Sequence, residues 1–382
     1  MYPRLLETPR QSIFLFGPRG TGKSTWIRER FPEATTYDLL DTSETLRLIR
    51  EPGALYRELI GLPPESWVVI DEVQKVPALL DEVQRLMETL RLRFVLSGSS
   101  ARKIRHGGAN LLAGRAITTA MFPLVSAELD FQLDLDRSLR YGLLPIAVTG
   151  HDPAGFLRSY AETYLDQEIR AEALIRNLGS FSRFLEIAAR QNGQVTNASA
   201  IARDAGVSRS TVQSHFEILV DTLIGSWLPA WKLKSATRQV RQSKFFFFDP
   251  GVARALTGRQ AYPPTPEELG PLLETLVLHE LRAFLGYTGR DYPLYFWRTY
   301  DGAEVDLFFE TEDGFVAIEV KSAKRWDKRF HRGLRRLRGD LGADRTKCFG
   351  LYLGERSALW DHVQVLPVLE FLRRLWDGEI VR

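Results

Sequence analysis

The sequence predicts an α/β protein with three parts, each marked by a different pattern of apolar residues. Over residues 1–150 short apolar runs alternate with helical patterns, which indicates a parallel sheet covered on both faces. Residues 151–256 follow a helical pattern, and residues 257–382 contain a helix followed by strands. The length of 382 residues supports several domains, since a single core stops growing at roughly 250–300 residues.

Composition limits the classes of protein that fit. Fractions of 44% apolar and 26% charged residues are typical of globular proteins, and a formal net charge of +3 is small for this length. Nucleic-acid binding therefore requires local basic clusters. The one cysteine, Cys348, cannot form an internal disulfide or a thiolate metal site, so we expect a reducing compartment. No apolar run matches a signal peptide or the roughly 18 residues of a membrane span, so we expect a cytoplasmic protein without a membrane partner.

A glycine-rich turn joins the first apolar run, Ile13–Phe16, to a helical pattern that begins at Ser24. The segment Gly17–Ser24 has the P-loop spacing G-x-x-x-x-G-K-[ST], which holds phosphates with backbone N–H groups at a helix N-terminus. Lys23 is expected to reach the β- and γ-phosphates, and Ser24 to bind magnesium. The sequence therefore predicts a site for ATP and Mg²⁺. The expected nucleotide-binding residues are Gly17, Gly20, Thr21, Gly22, Lys23, Ser24, Thr25, Asp71, Ser97 and Ser99.

Two acidic residues end the apolar run that starts at Trp67. Asp71 is expected to polarise the magnesium shell and Glu72 to activate water; the alternative is an acidic turn after a strand. Ser97 and Ser99 follow the next apolar run, where they are candidates to sense the γ-phosphate. The alternative there is a tight turn capped by serines.

The middle part contains a helix-turn-helix pattern at Ser199–Phe216, with Gly206 in the turn and Ser208 as the cap of the second helix. A recognition helix would direct Arg209 into a major groove. Downstream lies a basic stretch without acidic residues, where the hairpin of a winged helix would fall and contact phosphates. The alternative is a module that packs between subunits. The basic residues of this stretch are Lys232, Lys234, Arg238, Arg241 and Lys244.

Two alternating strands in the last part indicate a hairpin that brings three charged residues together. Glu319 and Lys321 share one strand face, and Asp306 on the preceding strand approaches them. Asp306 and Glu319 are expected to bind Mg²⁺ or Mn²⁺ and activate water against a phosphodiester. Charged strands of this kind are also common as solvated faces. Lys328 and Arg332 belong to a basic helical segment offset only by Asp327, which indicates nucleic-acid binding; a solvated helix is the alternative.

The motifs as a whole resemble prokaryotic AAA-type (AAA+) ATPases that carry a C-terminal domain of uncertain function. The matching segments, besides the P-loop, are Ile70–Gln74, Leu96–Ser100, Leu112–Arg115 and Phe247–Gly251. The resemblance implies that an arginine from a neighbouring subunit completes the ATP site, and Arg115 matches that finger. It also implies a homo-oligomer, by analogy a hexamer.

The last part resembles the PD-(D/E)xK nuclease core, with Val305-Asp306 at the Pro-Asp position and Glu319-Val320-Lys321 as the E-x-K tripeptide. The proline is absent. Such nucleases add a glutamate from the preceding helix, which implies Glu274, with Glu280 as the alternative. The expected catalytic residues of the whole chain are Glu72, Arg115, Glu274, Asp306, Glu319 and Lys321.

We therefore expect an ATP-hydrolysing AAA-type protein that acts on DNA, with a metal-dependent, nuclease-like C-terminal domain that cleaves or binds DNA. The alternative is a regulatory switch in which ATP controls binding to DNA or protein without cleavage. A third hypothesis is an assembly factor with a vestigial nuclease fold, and RNA remains open as a partner. The predicted fold is a P-loop NTPase parallel sheet, then a helical and winged-helix domain, then a small α/β nuclease-like domain.

Overall fold

The computed structural model describes residues 2–100, 112–164, 178–232 and 242–381. The chain forms two compact units. The first contains Pro3–Pro123 with Asp221–Ile224, and the second contains Leu124–Val220 and the chain from Gly225 onward. The predicted α/β class is confirmed, because a parallel sheet is followed by a helical region and a mixed sheet. The division into 1–150, 151–256 and 257–382 stays a prediction.

A five-stranded parallel sheet forms the centre of the first unit, in the order β2-β3-β4-β1-β5. Its three central strands consist largely of buried apolar residues, as expected for strands covered on both faces, whereas the two edge strands are mostly exposed or half-buried. The carboxyl ends of β1, β3 and β4 meet at one edge, which is where open α/β sheets bind ligands. The strands are β1 (Ile13–Phe16), β2 (Thr35–Asp38), β3 (Trp67–Asp71), β4 (Arg93–Gly98) and β5 (Ile117–Ala120).

In the described part of the first unit, the first and the last helix lie where a helical pattern predicts them, and the two helices between them were not predicted. The last helix buries Leu79, Leu80, Val83 and Leu86, residues at helical spacing, against the sheet core. The helices are α1 (Lys23–Arg30), α2 (Thr42–Arg50), α3 (Ala54–Leu59) and α4 (Leu79–Leu90).

The second unit begins with helices. A helix-turn-helix lies in the predicted segment: Gly206 has a positive φ of 68°, and the Ser208 hydroxyl accepts a hydrogen bond from Thr211 N at 3.0 Å. The helices are α5 (Leu135–Tyr141), α6 (Pro145–Thr149), α7 (Pro153–Ser159), α8 (Leu178–Arg190), α9 (Ala198–Ala205) and α10 (Arg209–Asp221). An antiparallel hairpin follows, formed by β6 (Gly225–Leu228) and β7 (Lys244–Phe247).

Helix α11 (Pro250–Leu256) leads to α12 (Pro266–Tyr287), whose side chains form the centre of the second unit's core. The prolines and polar residues of Thr257–Gly270 predict a linker with the helix beginning at Pro271, and this prediction is wrong in the second half of the segment. Glu268 Oε2 accepts from Thr265 N at 2.7 Å, and the helix starts at Pro266. Both prolines suit a first helical turn, and the Glu268 contact favours the earlier one.

A six-stranded mixed sheet packs against α12, in the order β12-β13-β11-β10-β9-β8. Strands β9 and β10 form the predicted antiparallel hairpin, while β11 pairs parallel to β10. The strands are β8 (Tyr295–Arg298), β9 (Glu304–Thr311), β10 (Gly314–Lys321), β11 (Thr346–Tyr352), β12 (Ala358–Trp360) and β13 (Val363–Pro367). Helix α13 (Arg332–Leu341) connects β10 to β11, and α14 (Val368–Trp376) follows β13.

Candidate functional sites

The loop after β1 needs glycine at several positions. Gly20 and Gly22 have φ values of 84° and 95°, in the left-handed region that side chains disfavour. A Cβ at Gly17 would lie 2.4 Å from the Met121 carbonyl oxygen. Thr21 Oγ1 donates to Pro18 O at 2.9 Å and closes the loop. The predicted P-loop thus has the backbone conformation that surrounds phosphates with N–H groups.

Lys23 lies across this loop. Its side chain is buried, and its ammonium donates to the carbonyl oxygens of Gly17 at 2.7 Å and Pro18 at 3.2 Å. Lys23 is the first residue of α1, so the charge stands at the helix N-terminus, where the helix dipole also favours an anion. Thr25 follows on the same helix and is half-buried.

Three predicted residues from different segments meet at the sheet edge. Ser24 Oγ donates to Asp71 Oδ2 at 2.7 Å, and Ser97 Oγ donates to Asp71 Oδ1. A hydroxyl and a carboxylate are hard oxygen donors of the kind Mg²⁺ prefers beside nucleotide phosphates. Ser24 and Asp71 therefore fit a magnesium ion that arrives with ATP.

Glu72 has a strained backbone and a supported side chain. Its φ of 59° is unusual for a residue other than glycine, and such strain concentrates at functional sites. Ser99 Oγ donates to Glu72 Oε2 at 3.2 Å, and Gln74 Nε2 donates to the same oxygen. A Cβ at Gly98 would lie 2.5 Å from Gln74 Oε1, so a side chain there would displace the Gln74 amide. The role of Gln74 was missed, although it lies in the quoted Ile70–Gln74 segment.

Arg115 precedes β5 on the first unit. It forms an ion pair with Glu88 at 2.7 Å, and its side chain is 40% exposed. An exposed arginine suits contact with another subunit, and its role as a finger stays a prediction.

The predicted phosphate contacts of the middle region differ in their surroundings. Arg209 at the start of α10 and Lys232 are exposed. Lys234, Arg238 and Arg241 lie outside the described residues. The interpretation of Lys244 as a phosphate contact is wrong, because its side chain is only 4% exposed and its ammonium faces carboxylates inside the second unit. The sequence around Lys244 contains no acidic residues, and the carboxylates that contact it come from segments distant in sequence.

Asp306, Glu319 and Lys321 come together as the strand pattern predicts. Val320 N donates to Asp306 Oδ2 at 2.8 Å, and Lys321 Nζ lies 3.5 Å from the same oxygen. Lys321 also pairs with Glu319 Oε1. Glu319 Oε2 is buried and has no hydrogen-bond partner among the described residues, and burial raises the pKa of Glu319 well above its ordinary value.

Lys244 enters this site from β7. Its Nζ lies 2.8 Å from Glu304 Oε1, 3.3 Å from Glu274 Oε2 and 3.8 Å from Asp306 Oδ1. Burial alone would lower the pKa of Lys244, but the charges of Glu274, Asp306 and Glu304 outweigh burial and raise it. The predicted Glu274 is therefore in the site, and Glu304 and Lys244 are members that sequence reasoning missed. We call Glu274, Glu304, Asp306 and Glu319 the carboxylate cluster.

Two ammonium groups balance much of the cluster's charge. Arg298 Nη1 also lies 3.7 Å from Glu304 Oε2, so four carboxylates against Lys244, Lys321 and Arg298 would leave one negative charge. Burial raises the pKa of Glu274 to about 7 and that of Glu319 well above normal, so both carboxyls retain protons more readily than free glutamate. Within the described residues, no three His, Cys, Asp or Glu side chains are arranged to hold a metal ion. The cluster as it stands does not fit a divalent cation, because Lys244 Nζ lies among the oxygens of Glu274, Glu304 and Asp306, and Lys321 Nζ contacts Asp306 and Glu319.

Glu280, the alternative to Glu274, has a structural position. Its carboxylate accepts from Ser126 N at 2.7 Å, from Ser126 Oγ at 3.0 Å and from Trp376 Nε1 at 2.8 Å. Burial raises its pKa to about 7. The alternative is therefore wrong: Glu280 binds a loop and α14 instead of the carboxylate cluster. Asp249 of the Phe247–Gly251 segment is also structural, since it accepts from Leu143 N and caps α11 through Val252 N.

The basic segment is offset by more than Asp327. Asp301 pairs with Arg332 at 3.5 Å and with Arg336 at 2.6 Å. Lys328 Nζ lies 5.8 Å from the centre of the Trp360 ring and is not part of those pairs. The prediction that a single acid offsets this segment is wrong, because loops distant in sequence supply further carboxylates.

The sheet order, the loop after β1 and the Ser24–Asp71–Ser97 contacts define a P-loop ATPase domain. Residues 9–129 match the family described as AAA domain. Residues 132–262 and 269–371 match two families described as Domain of unknown function, DUF8612 and DUF4143. Among the described helices, none has the length and apolar character to cross a membrane.

Curated relatives span most of the chain. An uncharacterized protein of Mycobacterium tuberculosis is 28% identical over 371 residues, which cover 94% of this chain and 80% of the relative. An uncharacterized protein of Haemophilus influenzae is 21% identical over 300 residues, which cover 73% of this chain and 70% of the relative. The Aeropyrum pernix ORC2 protein in its ADP form has a TM-score of 0.34 at 12% identity, over 66% of this chain and 89% of its own. A TM-score this low does not establish a shared fold.

Proposed function

We propose that this chain is an ATP-hydrolysing AAA-type protein that binds DNA through its middle and C-terminal regions. The observation that carries the ATPase part is the convergence of Ser24 and Ser97 on Asp71 beside the P-loop. The match of residues 9–129 to the AAA domain family supports it.

In the proposed reaction, backbone N–H groups of the P-loop bind the phosphates, and Lys23 exchanges its carbonyl partners for phosphate oxygens. Magnesium held by Ser24 and Asp71 supplies charge neutralisation. Glu72, oriented by Gln74 and Ser99, accepts a proton from the water that attacks the γ-phosphorus. The bond from the γ-phosphorus to the bridging oxygen breaks, which releases ADP and inorganic phosphate.

We further propose that Arg115 of one subunit completes the ATP site of its neighbour in a homo-oligomer, by analogy a hexamer. Its exposure and its position after the P-loop core support this role. In the absence of assembly, the rate of hydrolysis would be low, since such an arginine is worth roughly 10³–10⁵ in kcat.

DNA is proposed as the partner because the described basic residues Arg209, Lys232, Lys328 and Arg332 are exposed. Phosphate contacts are neither sequence-specific nor strand-specific, so RNA is an outcome of the same binding test. The proposed contacts are Arg209, Lys232, Lys234, Arg238, Arg241, Lys328 and Arg332.

A second candidate function is DNA cleavage by the C-terminal core, with Mg²⁺ or Mn²⁺ at Asp306 and Glu319. The meeting of Asp306, Glu319 and Lys321 favours it, and the ammonium of Lys244 opposes it. If the core does not cleave DNA, the alternative function is an ATP-controlled switch that binds DNA or protein.

The test is a set of matched assays on the purified full chain. ATP hydrolysis is measured for the wild type, Lys23→Ala and Arg50→Ala, an exposed arginine on α2 that serves as the control. Loss in Lys23→Ala alone supports the ATPase. DNA binding and cleavage are followed with labelled single- and double-stranded DNA, with Mg²⁺ or Mn²⁺, for the wild type and Lys321→Ala. Cutting that disappears in Lys321→Ala would establish a nuclease, and absence of both binding and cutting would overturn the DNA proposal.

A further inference from the structure

The carboxylate cluster has a cation of its own. Oxygens of Glu274 on α12 and of Glu304 and Asp306 on β9 surround Lys244 Nζ at 2.8–3.8 Å. Hard divalent cations bind such oxygens at about 2.0–2.6 Å and need them to converge on one point. The ammonium already lies at that point, so a metal there would stand in direct contact with a like charge.

The backbone keeps Lys244 in this position. Its residue pairs with Leu228 across the β6–β7 hairpin and forms a second bridge with Val195. The three residues that follow, Phe245–Phe247, are buried, and the side chain of Lys244 is itself 4% exposed. The side chain of Lys244 therefore cannot reach solvent unless β7 separates from both Leu228 and Val195.

The remaining carboxylate, Glu319, has a second ammonium. Lys321 pairs with Glu319 and lies 3.5 Å from Asp306, so two lysines from different strands contact all four acids, and Arg298 lies 3.7 Å from Glu304. In this nuclease-like arrangement, side-chain cations of the protein pair with the carboxylates in place of a metal ion. A buried lysine with three acidic partners is also stable without any ligand, because its charge is paired and hydrogen-bonded.

We propose that the Lys244 ammonium permanently occupies the cation position of the carboxylate cluster, so that this core takes up no divalent metal and does not cleave DNA. The inference deepens the C-terminal part of the proposed function and does not depend on ATP hydrolysis. The C-terminal core would then bind DNA without cleaving it, and Lys244 of the middle region would occupy its carboxylate cluster.

The experiment measures Mn²⁺ binding to the nucleotide-free full chain by electron paramagnetic resonance of the free ion, in an Asp71→Asn background that removes the P-loop carboxylate. In this background we expect no Mn²⁺ binding that depends on Asp306. Adding Asp306→Asn should therefore leave the amount of bound Mn²⁺ unchanged. One equivalent of Mn²⁺ that disappears on Asp306→Asn would overturn the proposal.

The gain-of-binding arm replaces Lys244 by methionine, which keeps an unbranched side chain, is one atom shorter and removes the charge. Lys244→Met is expected to bind about one Mn²⁺ per chain and to melt at a higher temperature with Mn²⁺ than without it, since metal binding stabilises the state that binds it. Lys347→Met, at an exposed lysine on β11, is the control and is expected to gain neither property.

A folded Lys244→Met protein without Mn²⁺ binding would overturn the proposal. If this variant folds only when Mn²⁺ is present, the metal has replaced the ammonium, which supports it. If it does not fold under any condition, the Mn²⁺ titration of the chain with Lys244 intact decides. DNA binding and ATP hydrolysis are measured separately, so their failure is distinguishable from failure of this inference.

Discussion

Ser24 Oγ donates a hydrogen bond to Asp71 Oδ2 at 2.7 Å, although the two residues are 47 positions apart in the chain. The contact joins the start of α1 to the end of β3. Asp71→Asn is expected to lower kcat for ATP hydrolysis by on the order of a hundredfold, because the variant lacks a charged group that acts on the transition state. The measurement is phosphate release at saturating ATP. Asp81→Asn, an exposed aspartate on α4, is the control, and equal rates for the two variants would contradict the assignment.

Glu72 is expected to act on water and not on nucleotide affinity. Glu72→Gln should bind ATP as the wild type does and lose hydrolysis by roughly 10²–10⁴, the usual contribution of a general base. Nucleotide binding by fluorescence titration and phosphate release on the same preparations separate the two effects. A parallel loss of ATP affinity would show that the residue instead holds the loop.

Gln74 is expected to position Glu72, since its Nε2 donates to Glu72 Oε2 and lies 3.3 Å from Ser99 Oγ. Gln74→Ala should lower kcat by about tenfold with little change in KM, because the carboxylate is no longer oriented while the P-loop still binds the phosphates. Separate measurements of kcat and KM distinguish this role from general damage, since damage to the P-loop would raise KM. A raised KM with an unchanged kcat would contradict it.

The ATP site could be predicted because its chemistry is local in sequence. Gly17–Ser24 is one loop, and Asp71 and Ser97 each end an apolar strand, so the parallel sheet brings them to one edge. Gln74 was missed because its neighbours, Glu72 and Ser99, become close only when β3 and β4 pair. A polar residue two positions after Glu72 carries no such signal by itself.

The carboxylate cluster could be predicted only in part, because not all of its residues are local in sequence. Asp306, Glu319 and Lys321 lie on two strands of one hairpin, whose register follows from alternation. Lys244 comes from a separate hairpin, and its basic neighbours indicate solvent. Only the bridges of β7 to Leu228 and Val195 show that its side chain points inward. Sequence distance also hid the pairing of Asp301 with Arg332 and Arg336.

Glu280 leads to a prediction on pH. Its pKa is raised by burial to about 7 from an ordinary 4.5, so the folded chain holds this proton more tightly than the unfolded chain. Its contribution to the free energy of unfolding therefore falls as pH rises from about 4.5 to about 7, by up to roughly 3 kcal/mol, and changes little above that. Glu280→Gln should lose this part of the pH dependence.

Thermal unfolding midpoints of the wild type and Glu280→Gln, taken between pH 5 and pH 8, test this prediction. The difference between them should narrow or reverse across that range, because only the wild type carries the titrating group. Glu355→Gln, an exposed glutamate, is the control and should follow the wild type. A constant offset at every pH would show that Glu280 stays ionised throughout.

The basic segment that leads into α13 predicts unequal roles for two cations, Lys328 and Arg332, in DNA binding. Arg332 is already paired with Asp301, whereas Lys328 lies over the Trp360 ring. Removing one cation that binds a phosphate reduces the slope of log K against log salt concentration by about 1. Lys328→Ala should show that full change and Arg332→Ala a smaller one, because Arg332 must first exchange its carboxylate partner for a phosphate. Binding isotherms at several salt concentrations, with Lys347→Ala as the control, measure both slopes. A larger effect of Arg332→Ala would mean that its pair with Asp301 positions the guanidinium for DNA instead of competing with it.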